Sequence, residues 1–308
     1  MFSIIDNFNK ILAILKEILG QDVPVTGNLL RPGPKPKFTD IEVIALSLTA
    51  EIMSIDSENF LFAAINSTYK NSFPYMISRR QYNDRRKSLF PLMEHIRSQV
   101  ANKLNAINEV YAIDSMPLEI CKLSRMHRNK MGKDNKNDYV TPDKGLCASQ
   151  NKWYYGYKLH CICSPVGVIS SLDLTKASVH DINYLKKNNS LELRNCLIVG
   201  DKGYVSDPVK KRLWKEKRID LQTPLRVNQK DFTKLPYVLK RIRKRIETVF
   251  SQLCDQFMMQ RNYAKSFPGY KTRIVAKITG MTILQFINKF IKQTPIGQVK
   301  YSLKYVLT

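Results

Sequence analysis

From about residue 106 the chain runs through an alternation that few folds can accommodate. Residues 110–114 form an apolar strand, and 155–163 and 166–175 are β-rich runs joined around Ser164-Pro-Val-Gly167, which reads as a hairpin. A short helix begins at His180-Asp181. It is followed by a buried strand at 196–200, a helix at 208–217, a short strand at 219–222 and a strong helix at 240–258. A strand, a hairpin and then alternating helices and strands predict a mixed sheet flanked by helices, an α/β fold. Residues 123–151, between the first strand and the hairpin, are polar and basic with little periodicity, and are expected to be an insertion or loop. No internal repeat is visible.

Three carboxylates break this pattern. A charged side chain within or ending a buried strand is costly unless something pairs it, so chemistry is sought there first. Asp114 ends Val-Tyr-Ala-Ile, with Ser115-Met-Pro117 expected to stop the strand, and Asp201 ends Leu-Ile-Val-Gly ahead of Lys202-Gly-Tyr204. If these strands are parallel and adjacent, both carboxylates emerge side by side at one sheet edge. Glu247 lies on the helix whose apolar stripe is Ile242, Ile246, Val249, Phe250, Leu253 and Phe257. At roughly 100° per residue it projects on the margin of that stripe, beside Arg243 one turn back. Two Asp and one Glu make a hard-oxygen set suited to Mg²⁺ or Mn²⁺. Each residue also has a plain alternative: Asp-Lys-Gly as a turn, Asp114 as a cap for the segment after its strand, Glu247 as an i,i+4 partner of Arg243.

Charge narrows the partner. The 308 residues hold 50 Lys+Arg against 26 Asp+Glu, a net +24, which points to a polyanion such as nucleic acid. Fifteen Tyr, 13 Phe and long apolar runs argue for packed structure over disorder. The length predicts a main core with a smaller companion. Residues 240–308 carry 14 Lys+Arg and only Glu247 and Asp255 as acids, a stretch able to neutralise phosphates. Lys158, Lys202, Arg243 and Arg245 are candidates for that contact, with a solvated surface as the alternative.

Other classes are disfavoured. The six cysteines suit a reducing cytoplasm, and no CxxC pair or His doublet completes a zinc site. No apolar run approaches membrane-spanning length, and the stretch 11–15 is hemmed by Lys10 and by Lys16-Glu17, unlike a secretory signal. Neither phosphate-binding glycine motif nor a G-x-S-x-G elbow occurs.

The first 105 residues read as a mostly helical module. Ile4, Phe8, Ile11, Leu15 and Ile18 repeat at helical spacing, either packing within their own domain or forming a dimer seam. Three prolines between Arg31 and Lys37 exclude helix there. Thr39-Asp-Ile-Glu42 is a capping box opening a helix to about residue 54, and Ser78-Arg-Arg-Gln81 opens another, with Tyr82, Leu89, Met93 and Ile96 inward. On that second helix Arg79, Arg80 and Arg86 either reach DNA, as the start of a recognition helix does, or form a solvated basic face.

With these residues in place, the sequence resembles the DDE-class transposases of bacterial insertion sequences. The resemblance rests on Ala112-Ile-Asp-Ser-Met-Pro117, Tyr155-Gly-Tyr-Lys-Leu-His160, Ala177-Ser-Val-His-Asp181, Val199-Gly-Asp-Lys-Gly-Tyr204 and Arg245-Ile-Glu-Thr-Val-Phe250, with Ser78-Arg-Arg-Gln-Tyr-Asn83 upstream. It implies a ribonuclease H-like core over 106–292, a DNA-end-binding domain over 1–105 and a tail over 293–308. It also implies Asp114, Asp201 and Glu247 as the acidic triad holding two Mg²⁺ or Mn²⁺ ions, with His160, His180 and Asp181 near the site. The implied partners are double-stranded DNA, as element ends and target, and further copies of the chain, at the nucleoid in a bacterial cytoplasm with no membrane. A non-joining nuclease of the same fold and a transposase-derived repressor are the alternatives. One departure from the pattern is that Cys254 and Lys240 stand where such enzymes often carry Lys and Tyr around the Glu.

Overall fold

The computed structural model describes residues 3–20, 24, 26–132, 141–187, 191–224 and 236–300. Along the chain its elements are α1 (Ile4–Leu19), α2 (Asp40–Ile52), α3 (Glu58–Thr68), α4 (Arg79–Ser88), α5 (Phe90–Leu104), β1 (Val110–Cys121), β2 (Asp143–Cys147), β3 (Lys152–Cys163), β4 (Ile169–Lys176), α6 (Ile182–Lys187), β5 (Cys196–Val199), α7 (Asp207–Lys217), β6 (Ile219–Gln222), α8 (Tyr237–Phe257) and α9 (Phe267–Phe286). They divide into two compact units, residues 1–100 with 253–308, and residues 101–252. The sequence placed the second boundary at 292, with a tail beyond it. The chain instead rejoins the helical unit at 253, because α9 is buried there. Residues 133–140 of the basic insertion and 301–308 of the expected tail lie outside the described residues.

In the helical unit, α1 buries Ile4, Phe8, Ile11 and Leu15, and its last turn buries Leu19 in place of the expected Ile18. Both capping boxes form: Thr39 Oγ1 accepts from Glu42 N at 3.2 Å while Glu42 Oε2 accepts from Thr39 N, and Ser78 and Gln81 do the same. The helix expected to run through Ile96 is two, since α4 ends at Ser88 with Leu89 as its C-cap and α5 starts at Phe90 with Pro91 in its first turn, where its missing N–H is harmless. Helix α9 and its π-helical continuation, Phe267–Ile291, are long and apolar enough to cross a membrane, contrary to the sequence reading. They are a core element here, packed against α2. Within that core Glu51 accepts from Arg273 Nε at 3.0 Å and from Lys277 Nζ at 2.6 Å, all three side chains being buried. Burial pushes the Glu51 carboxyl up, but Lys277 and Arg273 outweigh it and hold it below the ordinary range.

The second unit is built on a six-stranded sheet in the order β2-β3-β1-β5-β6, with β4 also on β3. β4, β3 and β1 are antiparallel neighbours, while β1, β5 and β6 are parallel. Three antiparallel strands followed by two parallel ones form the ribonuclease H-like core. Tyr111, Ile113, Ile162, Ile198, Ile219 and Leu221 share a core with residues of α6 and α7. Alternation along the strands turns Ala112 and Asp114 to the opposite face, across from Cys163 and Cys161.

Two details differ from the sequence reading. β1 does not stop at Pro117 but continues to Cys121. Its ladder with β5 ends at Ala112↔Val199, so by Pro117 it has a neighbour on the β3 side alone, where a proline is tolerated. The insertion also contains β2, too short and too polar to be read as a strand. At its centre Gly145 lies so close to the Ala177 carbonyl that a Cβ would come within 2.4 Å of that oxygen.

Candidate active site

The parallel ladder pairs Val110 with Leu197, Tyr111 with Ile198 and Ala112 with Val199. Continued two residues, the same register sets Asp114 level with Asp201. Asp114 sits inside a strand flanked by β3, its Oδ1 accepting from the Ser115 N–H at 2.8 Å. Burial lifts its carboxyl to about 7; the Ser115 N–H and Arg243 oppose the rise, and the charges of Asp201 and Asp181 add to it. Asp201 caps a short 3₁₀ turn, Lys202–Tyr204, its Oδ1 accepting from Gly203 N at 2.8 Å.

Behind this pair lies a polar network. Asp181 Oδ1 accepts from Ser115 Oγ at 3.0 Å and from Lys158 Nζ at 3.1 Å. His160 is fully buried, bonded through Nε2 to Thr175 Oγ1 at 2.8 Å and stacked on Tyr184. Burial drives its pKa down to about 4, so it stays neutral near pH 7. Tyr204 packs over Gly200 and Ile113, and its hydroxyl is buried without a hydrogen-bond partner. Burial raises that phenol well above its ordinary value, with Asp181, Asp114 and Asp201 pushing the same way. His180 is exposed. The sequence assigned no role to Ser115, Gly203 or Tyr204. All three fall inside the motifs Ala112–Pro117 and Val199–Tyr204, and Ser115 also adjoins an aspartate on a strand and must face the other way.

Glu247 is not assembled with the two aspartates. Its side chain is about half exposed and faces Arg243 Nη2 at 3.8 Å, the i,i+4 pairing held open as its alternative. Among the described residues no three of the His, Cys, Asp and Glu side chains are grouped so as to hold a metal ion. The aspartate pair nonetheless fits a hard divalent cation. Both donors are carboxylate oxygens, and burial together with the charge of Asp201 makes Asp114 resist ionisation, an effect that a bound cation would offset.

The basic candidates separate. Arg79, Arg80 and Lys202 are exposed. Arg86, expected to contact DNA, is instead buried, paired with Glu58 at 2.7 Å and lying over the Tyr82 ring, because its position faces inward on α4. Lys158 is likewise committed, to Asp181 and to the Val179 carbonyl at 2.9 Å. Arg245 donates to the Val166 carbonyl at 3.0 Å and lies against Gly167, bracing the β3–β4 turn. Arg273 and Lys277, counted in the basic C-terminal stretch, are buried with Glu51 and present no charge to a phosphate.

Residues 106–283 match the family model described as Transposase DDE domain. The chain is also similar to the piggyBac transposase in a cryo-EM structure of its synaptic complex with hairpin DNA. That match has 12% identity and a TM-score of 0.47, and covers 99% of this chain and 79% of the other. No curated protein matches the sequence. The family match spans more than half of the sequence and takes in Asp114, Asp201 and Glu247, and on that ground the chain belongs to the Transposase DDE domain family.

Proposed function

We propose that this transposase binds the ends of its own element, cleaves a strand at each end and joins the freed 3′ ends to target DNA. In this reading Asp114 and Asp201 hold the Mg²⁺ or Mn²⁺ ions that the reaction uses, and Glu247 completes the set. The observation that carries it is that Asp114 on β1 and Asp201, just past the end of β5, each follow the last pair of the parallel β1–β5 ladder by two residues, with the Asp114 carboxyl raised to about 7 by burial. When bound, the divalent cation polarises the scissile phosphate and makes the attacking water or 3′-hydroxyl more acidic.

The chain's own residues supply position. β1 carries Asp114, and the turn that follows β5 holds Asp201 through the Gly203 N–H. The exposed Arg243–Glu247 pair contributes only about 0.3–0.5 kcal/mol, so Glu247 is recruited to the site at little cost. Arg243, once released, and Lys202 beside Asp201 meet phosphate oxygens. His160, neutral and fully buried, orients Thr175 and takes no proton.

Asp114→Asn tests this. Cleavage and joining should fall on the order of 10³-fold, while end binding without metal stays equal or tightens, since a negative charge near phosphate is gone. Unaltered protein given pre-cut ends and Mg²⁺ or Mn²⁺ should join them to a plasmid. Cleavage without joining would make the protein a nuclease, end binding alone would make it a repressor, and full cleavage by Asp114→Asn would overturn the site.

A further inference from the structure

Asp181 lies just ahead of α6 and ties together segments that are distant in sequence. Its Oδ1 is bonded to Ser115 Oγ and to Lys158 Nζ. Ser115 stands opposite His160, and Lys158 opposite Pro117, so both belong to the face of the β1–β3 pair that points away from Asp114. Asp181 therefore grips β1 from behind, at the residue next to Asp114. Lys158 pairs with Asp181 at 3.1 Å, yet the charge of Asp181 still reaches Asp114 and helps to keep its carboxyl protonated until a cation arrives.

The other oxygen of Asp181 reaches the second strand end. Asp181 Oδ2 lies 3.0 Å from the point where a Cβ on Gly203 would stand, and Asp201 Oδ1 lies 3.0 Å from the same point. Gly203 does not occupy the left-handed region that favours glycine, so what its place requires is space. A methyl group there would crowd both carboxylates.

We propose that Asp181 is a positioning residue. It braces β1 beside Asp114 through the Ser115 hydroxyl and packs against the turn after Asp201, setting the spacing at which the two carboxylates share a cation, and Gly203 provides the room it needs. The inference rests on the reading of Asp114 and Asp201 as the metal-holding pair.

The test is Mn²⁺ uptake by the full-length protein without DNA, followed by the loss of the free-ion electron paramagnetic resonance signal, beside thermal melting in chelator. Asp114→Asn, the control, should abolish uptake. Asp181→Asn, Ser115→Ala and Gly203→Ala should each weaken uptake about tenfold or more, with melting within a few degrees of the parent. The Ser115→Ala/Asp181→Asn double variant should be no weaker than the worse single one, because both act through one contact. Parent-like Mn²⁺ affinity in Asp181→Asn and Ser115→Ala, whether or not melting falls, overturns the positioning role. If the parent and Asp114→Asn take up Mn²⁺ alike, the metal-holding pair fails first, and the positioning role fails with it.

Discussion

Asp114 and Asp201, 87 residues apart in the sequence, each stand two residues past the Ala112↔Val199 pair that ends the β1–β5 ladder, and the charge of Asp201 helps to keep Asp114 protonated. Their surroundings nevertheless differ. Asp201 has passed the end of its strand and caps a turn, whereas Asp114 is still inside β1 with Cys161 across from it on β3. β1 runs on past Asp114 to Cys121, and burial raises the Asp114 carboxyl to about 7.

That burial predicts a pH effect on stability. Between the ordinary carboxyl value of 3.8 and about 7, folded Asp114 keeps a proton that the unfolded chain has released. Stability contributed by this group is therefore full at low pH, falls as pH rises through that window and is level above it. Asp114→Asn should remove the slope and stabilise the metal-free protein at pH 8, by on the order of 2–4 kcal/mol, with little change at pH 4. Urea denaturation in chelator at the two pH values measures this, and an unchanged pH 8 midpoint would contradict the burial of that carboxyl.

His160 has the opposite sign. Its folded pKa of about 4 lies below the ordinary 6.5, so between these values the unfolded chain takes up a proton that the folded one refuses. Stability is lost as pH falls from 6.5 toward 4. His160→Gln, which can still bond Thr175, should flatten the acid side of a melting-temperature profile between pH 4.5 and 7.5. A profile that stays as steep as the parent's would assign the acid sensitivity elsewhere.

In the helical unit, Glu51→Gln should be among the most damaging single changes, because it leaves Arg273 and Lys277 buried with their charge uncompensated. The expected loss is about 3–5 kcal/mol, read from urea midpoints. A loss under 1 kcal/mol would mean that water reaches the triad.

Arg86 should separate from its neighbours on α4. Arg79→Ala with Arg80→Ala should weaken DNA binding and shallow its dependence on salt, by close to one unit of slope for each phosphate no longer neutralised, and leave melting unchanged. Arg86→Ala should instead lower the melting temperature, since Glu58 loses its charged partner and keeps only the Asn83 amide, and the Tyr82 ring loses its cover. DNA binding measured across a salt series for both variants, with folding checked by circular dichroism, distinguishes the two roles. Equal effects on binding would return Arg86 to the DNA-contacting set.

The sequence alone determined β1, the order of elements from β3 to α8, both capping boxes and the two aspartates that follow apolar strand runs. Each of these depends on local chemistry: side-chain alternation, a cap that bonds three residues on, a charge where an apolar run ends. The tertiary structure alone decided which charges are free. Arg79, Arg80 and Arg86 look alike in sequence, yet Arg86 faces inward on α4 and meets Glu58, 28 residues away. Lys158 and Asp181 meet across 23 residues, and Glu51 and Arg273 across 222. The strand break expected at Pro117 failed because whether a proline ends a strand depends on which neighbours remain to be bonded there. Helix α9, apolar enough for a bilayer, joined the N-terminal helices because burial against α2 satisfied its faces and gave its two buried charges, Arg273 and Lys277, a carboxylate. Periodicity records that a face is apolar. Only the fold supplies the partner that covers it, and that partner decides whether a basic residue on the same helix is a pillar of the core or a contact for phosphate.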